Sequence, residues 1–400
     1  MTSYAIARAR DRIVALAGRG VDVVTLWQEA SAILEPVVPH FGGACWYTLD
    51  PASLLITSHY NEQMPVLPPD ALMHEYYIDD VNKLADVARS PSGISTLHEA
   101  TGGDPSASPR WQANIELGGD QELIAGLRTA DGEVWGALGL YRETGAPTFD
   151  AGELALVRVI SGPLAEGARR ALLLGEASDP EGPGAPGLLV LSSSWDVESA
   201  TPGVERWMSD LPGGDWDAGR LPSAVAAVAA QALRSAEGRD APGEVALARV
   251  LTASGTWVVL HGATLVGDGA PRIAVIVEPA HPARIAPLLM AAYGLTQREQ
   301  DVTRLVLQGA STVAIAERLV LSPHTVQQHL KQIFEKTAVN SRRDLVGKVF
   351  FSYYEPRLRD NDERVPQARP LRGGPLDRGP GRGERTEPVG PAVSPPPSAG

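Results

Sequence analysis

His324, Gln327, Gln328 and Lys331 fall at i, i+3, i+4 and i+7, a spacing that puts four hydrogen-bonding side chains on one face of a helix. Their types suit one chemistry. A glutamine amide can pair bidentately with the edge of adenine and a lysine ammonium with the acceptors of guanine, so a helix presenting them can read bases in a major groove. Taken singly, Gln327 and Gln328 would serve as well on an ordinary solvated face. The intervening residues favour base reading: Val326, Leu330, Ile333 and Phe334 lie at i, i+4, i+7 and i+8 and form an apolar stripe that must face other helices.

The stretch from Leu295 to Phe350 supplies those helices, each marked by its own start and stop signals. Thr296 with Glu299 reads as a capping box opening a first helix through Val302, Leu305 and Val306, which Gly309 ends. Ser311 caps a second helix with Ile315, Ala316 and Leu319 inward, and the short connection Val320-Leu321 leads to Ser322-Pro323, an N-cap with proline at the first helical position. Ser341 caps a fourth helix holding Leu345, Val346, Val349 and Phe350, whose first-turn Arg342 and Arg343 suit phosphates better than bases. A polar-faced helix reached through a tight turn from a preceding helix is the helix-turn-helix arrangement. His324 could reach a base, a phosphate or neither, and His329 could serve a phosphate or a backbone carbonyl.

The run Leu295-Thr296-x-Arg298-Glu299, Gly309, Ile315-Ala316-Glu317-Arg318-Leu319, Ser322-Pro323-His324-Thr325-Val326-x-x-His329-Leu330-Lys331-x-Ile333-Phe334-x-Lys336 and Ser341-Arg342-x-x-Leu345 resembles the LuxR-type (NarL/FixJ-like) tetrahelical DNA-binding domain across its whole length. The resemblance implies base contacts from Gln327, Gln328 and Lys331, with His324 a further candidate. It also implies backbone contacts from Thr325, Lys336, Arg342 and Arg343, with Ser322 a further candidate, and a homodimer contact on the fourth helix, for which Leu345, Val349 and Phe350 supply an apolar patch. Val313 stands where many members carry lysine, which removes one phosphate contact.

The chain's formal net charge of -13 looks wrong for a nucleic-acid binder until it is divided. Residues 1–290 hold 19 Lys and Arg against 36 Asp and Glu, residues 291–354 hold 8 against 5, and residues 355–400 hold 8 against 7. The locally basic segment is the one with the helix-turn-helix pattern, and the acidic remainder would suppress non-specific DNA binding and make affinity steeply salt-dependent. Cys45 is the single cysteine, which excludes an internal disulfide and a cysteine zinc site and fits a reducing cytoplasm. No apolar run reaches the roughly 18 to 20 residues of a membrane span, and the N-terminus lacks a secretory pattern. Abundant Arg, Ala, Gly and Pro with few lysines point to a GC-rich bacterial genome.

In chain order, residues 4–35 read as two helices, 44–49 and 54–58 as paired strands, and 69–88 as a helix. The stretch 90–120 gives no assignable pattern. Strands at 123–128 and 134–141 flank the Asp131-Gly132 turn signal, and a long helix covers 150–174. The hairpin ending in Trp135-Gly-Ala-Leu-Gly-Leu140 and the Phe149-Asp-x-x-Glu-Leu154 helix start resemble a GAF domain over residues 1–174. The resemblance implies a small-molecule cup, for which Trp46, Tyr76, Tyr77 and Trp111 are liners if they are not simply core. His74, Glu75, Asp79 and Asp80 do not converge as metal ligands and read as a solvated acidic face. Residues 175–187 are a Pro/Gly linker. Strands and helices over 188–290, with an Ala-rich helix at 222–236, resemble a PAS domain, and 282–292 reads as a short helix joining it to the 291–354 DNA-binding unit. Residues 355–400 read as a disordered tail.

The expected fold is therefore multidomain: α+β GAF-like and PAS-like sensor domains, then an all-α tetrahelical helix-turn-helix domain. No nucleophile–base motif, phosphate-binding glycine loop or metal spacing is visible, so no enzyme, cofactor or metal is expected. The acidic cluster of a phosphoacceptor receiver and a close match to acyl-homoserine-lactone sensors are also missing. The expected function is sequence-specific DNA-binding transcription regulation controlled by a small-molecule or protein signal, with double-stranded DNA, RNA polymerase and a second copy as partners. The alternative is a regulator acting mainly through RNA polymerase or a sigma factor.

Overall fold

The computed structural model describes residues 3–63, 72–174, 186–241, 244–265, 270–280 and 282–346. The 355–400 tail and nearly all of the 175–187 linker lie outside them, as do Val349 and Phe350.

Helices α1 (Ser3–Gly18) and α2 (Val23–Leu34) precede a first sheet of β1 (Phe41–Leu49), β2 (Ile56–Tyr60), β3 (Ile94–Thr96), β4 (Gly119–Arg128) and β5 (Val134–Glu143). The strands are antiparallel in the order β2-β1-β5-β4-β3. One face, bearing Trp46, Trp135 and Leu138, packs on α1, α2 and α7 (Ala151–Leu174). Strand alternation sends Cys45, Tyr47 and Leu49 to the other face, roofed by three short pieces of helix. These are a π-helical turn α3 (Met73–Tyr77), α4 (Leu84–Arg89) and, beyond α5 (Leu97–Ala100), α6 (Pro109–Glu116).

The single helix expected over 69–88 is broken. Ile78 is extended, Asn82 takes a left-handed φ of 61°, and the Glu75 carboxylate accepts the backbone N–H of Leu84 at 2.6 Å, folding the chain back on itself. A residue that reads as part of a solvated acidic face is thus an internal strut: Glu75 is 4% exposed.

A second sheet comprises β6 (Gly187–Leu191), β7 (Val197–Ala200), β8 (Leu247–Leu251), β9 (Trp257–Leu265) and β10 (Arg272–Pro279), with α8 (Val204–Asp210) and α9 (Ser223–Ala236) between β7 and β8. Its antiparallel order β7-β6-β10-β9-β8 repeats that of the first sheet, strand for strand. Strand β7 escapes a sequence reading because all four residues are exposed and leave no alternation.

Helix α9 explains its own composition. It packs on β9 and β10 on one side and on β2 and α3 on the other, so every residue from Ser223 to Leu233 is buried. Only small side chains let two layers approach one helix this closely, and Gly262 marks the limit: a Cβ there would lie 2.6 Å from the Val228 carbonyl oxygen. The two units consequently share one apolar core, reinforced by ion pairs across the seam. Arg249 donates from its backbone N and from Nε, each at 2.9 Å, to the fully buried Asp50 carboxylate, and Arg234 and Arg239 both reach Asp79.

Helix α10 (Pro282–Ala292) faces three ways. Ile285 and Leu289 join Val259 of the second sheet, Leu288, Ala291 and Ala292 enter the core beneath α7, and Met290 enters the core of the C-terminal helices. No helix among the described residues is long and apolar enough to cross a membrane.

Candidate nucleic-acid interface

Four helices follow: α11 (Gln297–Leu307), α12 (Thr312–Leu319), α13 (Pro323–Thr337) and α14, residues 342–346. The caps are those the sequence predicts. Thr296 and Glu299 form the complete capping box, Ser311 accepts from Ala314 N, and Ser322 accepts from Thr325 N ahead of Pro323. Such a cap typically contributes about 1 kcal/mol. Val302, Val306, Ile315, Ala316, Val326, Leu330, Ile333 and Leu345 close the core.

Between α12 and α13 the chain turns through Val320, at φ 54° and 89% exposed. A β-branched residue in that left-handed region is strained, and the turn it makes swings α13 out with its polar face to solvent. His324, Gln327, Gln328 and Lys331 are all exposed on that face, and so is Gln332 beside them. Gln328 Nε2 lies 3.1 Å from His324 Nε2 one turn earlier, so these two side chains hold each other. His329 and Thr325 are half-buried, the latter with its hydroxyl 2.8 Å from that of Ser322.

Two basic residues assigned to the DNA backbone are engaged within the domain. Lys336 Nζ is 2.6 Å from the buried Glu299 carboxylate, tying α13 to α11. Burial raises the Glu299 pKa, but the Lys336 and Thr296 hydrogen bonds outweigh it and leave the carboxyl below its ordinary value. Arg342 donates to the Ala310 carbonyl at 2.8 Å and to Thr312 Oγ1 at 2.9 Å, pinning α14 to the turn between α11 and α12. Arg343 is exposed. Arg298, which sequence reasoning leaves out of the site, clasps the Leu319 carbonyl at the end of α12.

Leu345, expected at a dimer contact, is 1% exposed and packs among the domain's own helices. Val349 and Phe350 lie outside the described residues.

The four aromatic residues expected to line a ligand cup are placed elsewhere. Trp46 is on the opposite face of the sheet, stacked on Trp27 with ring centroids 4.8 Å apart, and its Nε1 donates to Ser31 Oγ. Tyr76 is clamped between Ile56 N and the Leu54 carbonyl, Tyr77 donates to Glu237 across the seam between the sheets, and Trp111 donates to Asp120. The cavity roofed by α3, α4 and α6 is lined by Tyr47, Glu75, Arg110, Glu122 and Tyr141 in their stead. Single-residue strand alternation sets Trp46 on the face opposite Tyr47, and the break in the 69–88 helix decides where Tyr76 and Tyr77 fall.

A family model described as bacterial regulatory proteins, luxR family, matches residues 294–349. A Mycobacterium tuberculosis protein named as an HTH-type transcriptional regulator is 50% identical over 54 residues, which is 14% of this chain and 6% of the relative. The monoamine regulon transcriptional regulator of Klebsiella aerogenes is 41% identical over 56 residues, 14% of this chain and 25% of the relative. The chain thus spans only a small part of the length of the curated relatives it matches. Among solved structures, bacteriophytochrome RpBphP3 from the photosynthetic bacterium R. palustris is similar at TM-score 0.29 and 13% identity, covering 70% of this chain and 63% of that one. The phage VqmA-DPO complex is similar at TM-score 0.22 and 18% identity, covering 46% and 86%. Scores this low carry no argument about the N-terminal units. The C-terminal match and the geometry of α11 to α14 coincide: residues 294–349 of this chain form a LuxR-family helix-turn-helix domain, the DNA-binding module of transcriptional regulators.

Proposed function

We propose that the chain is a sequence-specific transcriptional regulator that lays α13 in a major groove, reads bases with Gln327, Gln328, Lys331 and His324, and acts as a homodimer on a two-fold operator. The observation that carries this reading is the exposed polar face of α13 set opposite a stripe in which Val326, Leu330 and Ile333 are buried and Phe334 partly so, within a LuxR-family module. Arg343, with Ser322 and Thr325 at the helix start, holds the phosphates, and Lys336 and Arg342 contribute by fixing the helices that carry the reading face. RNA polymerase is the partner through which a bound regulator acts on transcription.

The two sheets upstream, residues 1–174 and 188–290, are GAF-like and PAS-like sensor units whose signal controls residues 291–354. Their common strand order supports this, and α10 gives the signal a physical route because it packs on both sheet units and on the helical domain. Arg169 of α7 reinforces the junction. It reaches the Ala291 carbonyl, and its guanidinium lies where a Cβ on Gly294 would sit.

Selection of the purified full chain on random duplexes at low salt tests the proposal. One sequence class should be enriched, and Gln327→Ala or Lys331→Ala should each weaken it by about 1 to 3 kcal/mol and relax base choice at one position. Arg343→Ala should weaken all sequences alike and reduce the salt slope by about one. No enrichment from the pool, or intact DNA binding in both base-face variants with loss of RNA polymerase capture, would replace base reading with a protein-partner role.

A further inference from the structure

The roofed face of the first sheet holds a partly open cavity of about 140 Å³. Its apolar wall comes from Ile56, Leu72, Leu84, Leu117 and Ile124, and its polar wall centres on Arg110 of α6. That arginine is 7% exposed, with Nε at 2.9 and 3.0 Å from the two Glu122 oxygens and Nη2 at 2.8 Å from Glu75. Both carboxylates are otherwise occupied: Glu122 also accepts from Asn82 Nδ2 and Glu75 from Leu84 N. Nη1 is buried and has no hydrogen-bond partner.

A buried guanidinium nitrogen without an acceptor is costly. Its place beside a hollow leaves room for an acceptor that arrives with a ligand. The volume suits a group of about one ring, since a cavity of roughly 150 Å³ accommodates benzene. Charge limits it further. Two carboxylates surround one guanidinium, so an added anion would face a like charge in a low-dielectric site, whereas a neutral carbonyl satisfies Nη1 without that penalty. Burial also raises the Glu75 pKa despite the pull of Arg110, and the neighbouring Glu122 charge adds to the rise.

We infer that this cavity binds a small neutral monocyclic molecule with a carbonyl acceptor, its oxygen on Arg110 Nη1. The inference supplies the signal for the sensing role proposed above and rests on that role only for its consequence, because binding to the cavity can be measured without DNA.

The test uses the full chain and three probes at millimolar concentration, δ-valerolactam, cyclohexanone and benzene, with binding followed by NMR chemical-shift titration. δ-Valerolactam and cyclohexanone should bind, benzene should bind at least tenfold more weakly, and benzoate should not compete. Arg110→Lys, which keeps the charge but not the planar fork, should weaken lactam binding about tenfold. Ala113→Leu fills the cavity without touching the ion cluster and should abolish it. Equal binding of benzene and lactam, preference for benzoate, no binding of either carbonyl probe, or unchanged affinity in Ala113→Leu would each overturn the assignment. None of these results would bear on the DNA selection above, so failure of the ligand site and failure of base reading are distinguishable.

Discussion

The two five-stranded sheets run in the same strand order and treat their covered faces in opposite ways. In the first, short helices roof a face bearing Tyr47, Glu122 and Tyr141 and leave a hollow around a buried ion cluster. In the second, α9 lies against β9 so closely that Gly262 has no room for a Cβ, and ten consecutive residues from Ala224 to Leu233 are buried. Topology thus places a face, while side-chain volume and charge decide whether it becomes a site or a seam.

Breaking the ion cluster is the strongest way to challenge this contrast. Arg110→Met leaves Glu75 and Glu122 facing each other without a counter-charge and should cost about 3 to 5 kcal/mol in urea unfolding. A loss below about 1 kcal/mol would mean that solvent already serves these carboxylates. Acid comes next. His59, cross-strand from Tyr47 on the covered face of the first sheet, is held by burial at a pKa of about 4 against an ordinary value of 6.5. The unfolded chain therefore takes up the proton first, so stability falls as pH drops from above 6.5 toward 4, by about 3 kcal/mol in all. His59→Leu should flatten that part of the stability curve; an unchanged slope would place the titration elsewhere.

The same substitution in the two regions then sharpens the contrast. Ala229→Leu on α9 has no space to enter and should cost about 1 to 3 kcal/mol, whereas Ala113→Leu faces the hollow and should change stability by less than about 1 kcal/mol. Equal losses would show that both faces are packed alike. The smallest effect belongs to the helix-turn-helix domain, where Val320→Gly should relieve the left-handed strain, offset partly by glycine's unfolded-state entropy, for a gain of about 0.5 kcal/mol in thermal unfolding.

The C-terminal module was legible in the sequence because its information is local. Caps at Thr296, Ser311 and Ser322, the proline at 323 and a 3.6-residue apolar period each act within one or two turns, and together they fix both the helices and the face that α13 exposes. Most strands were legible for the same reason, while β7 and the pieces between residues 90 and 120 lacked any alternation to read.

Tertiary structure alone decided what that local signal could not carry. Lys336 and Arg342 have the right charge for phosphates, but Glu299 lies 37 residues from the first and the Ala310 carbonyl 32 from the second, and only folding brings them together. Arg110 gathers Glu75 and Glu122 from a broken helix and a strand in the same way. Helix periodicity tells which side of a segment turns inward, yet the identity of its neighbours depends on long-range packing. That is why the sequence determined the reading face of α13, while only the assembled fold decided where the cavity lies, which charges are bound within the protein, and that two sheets share one helix.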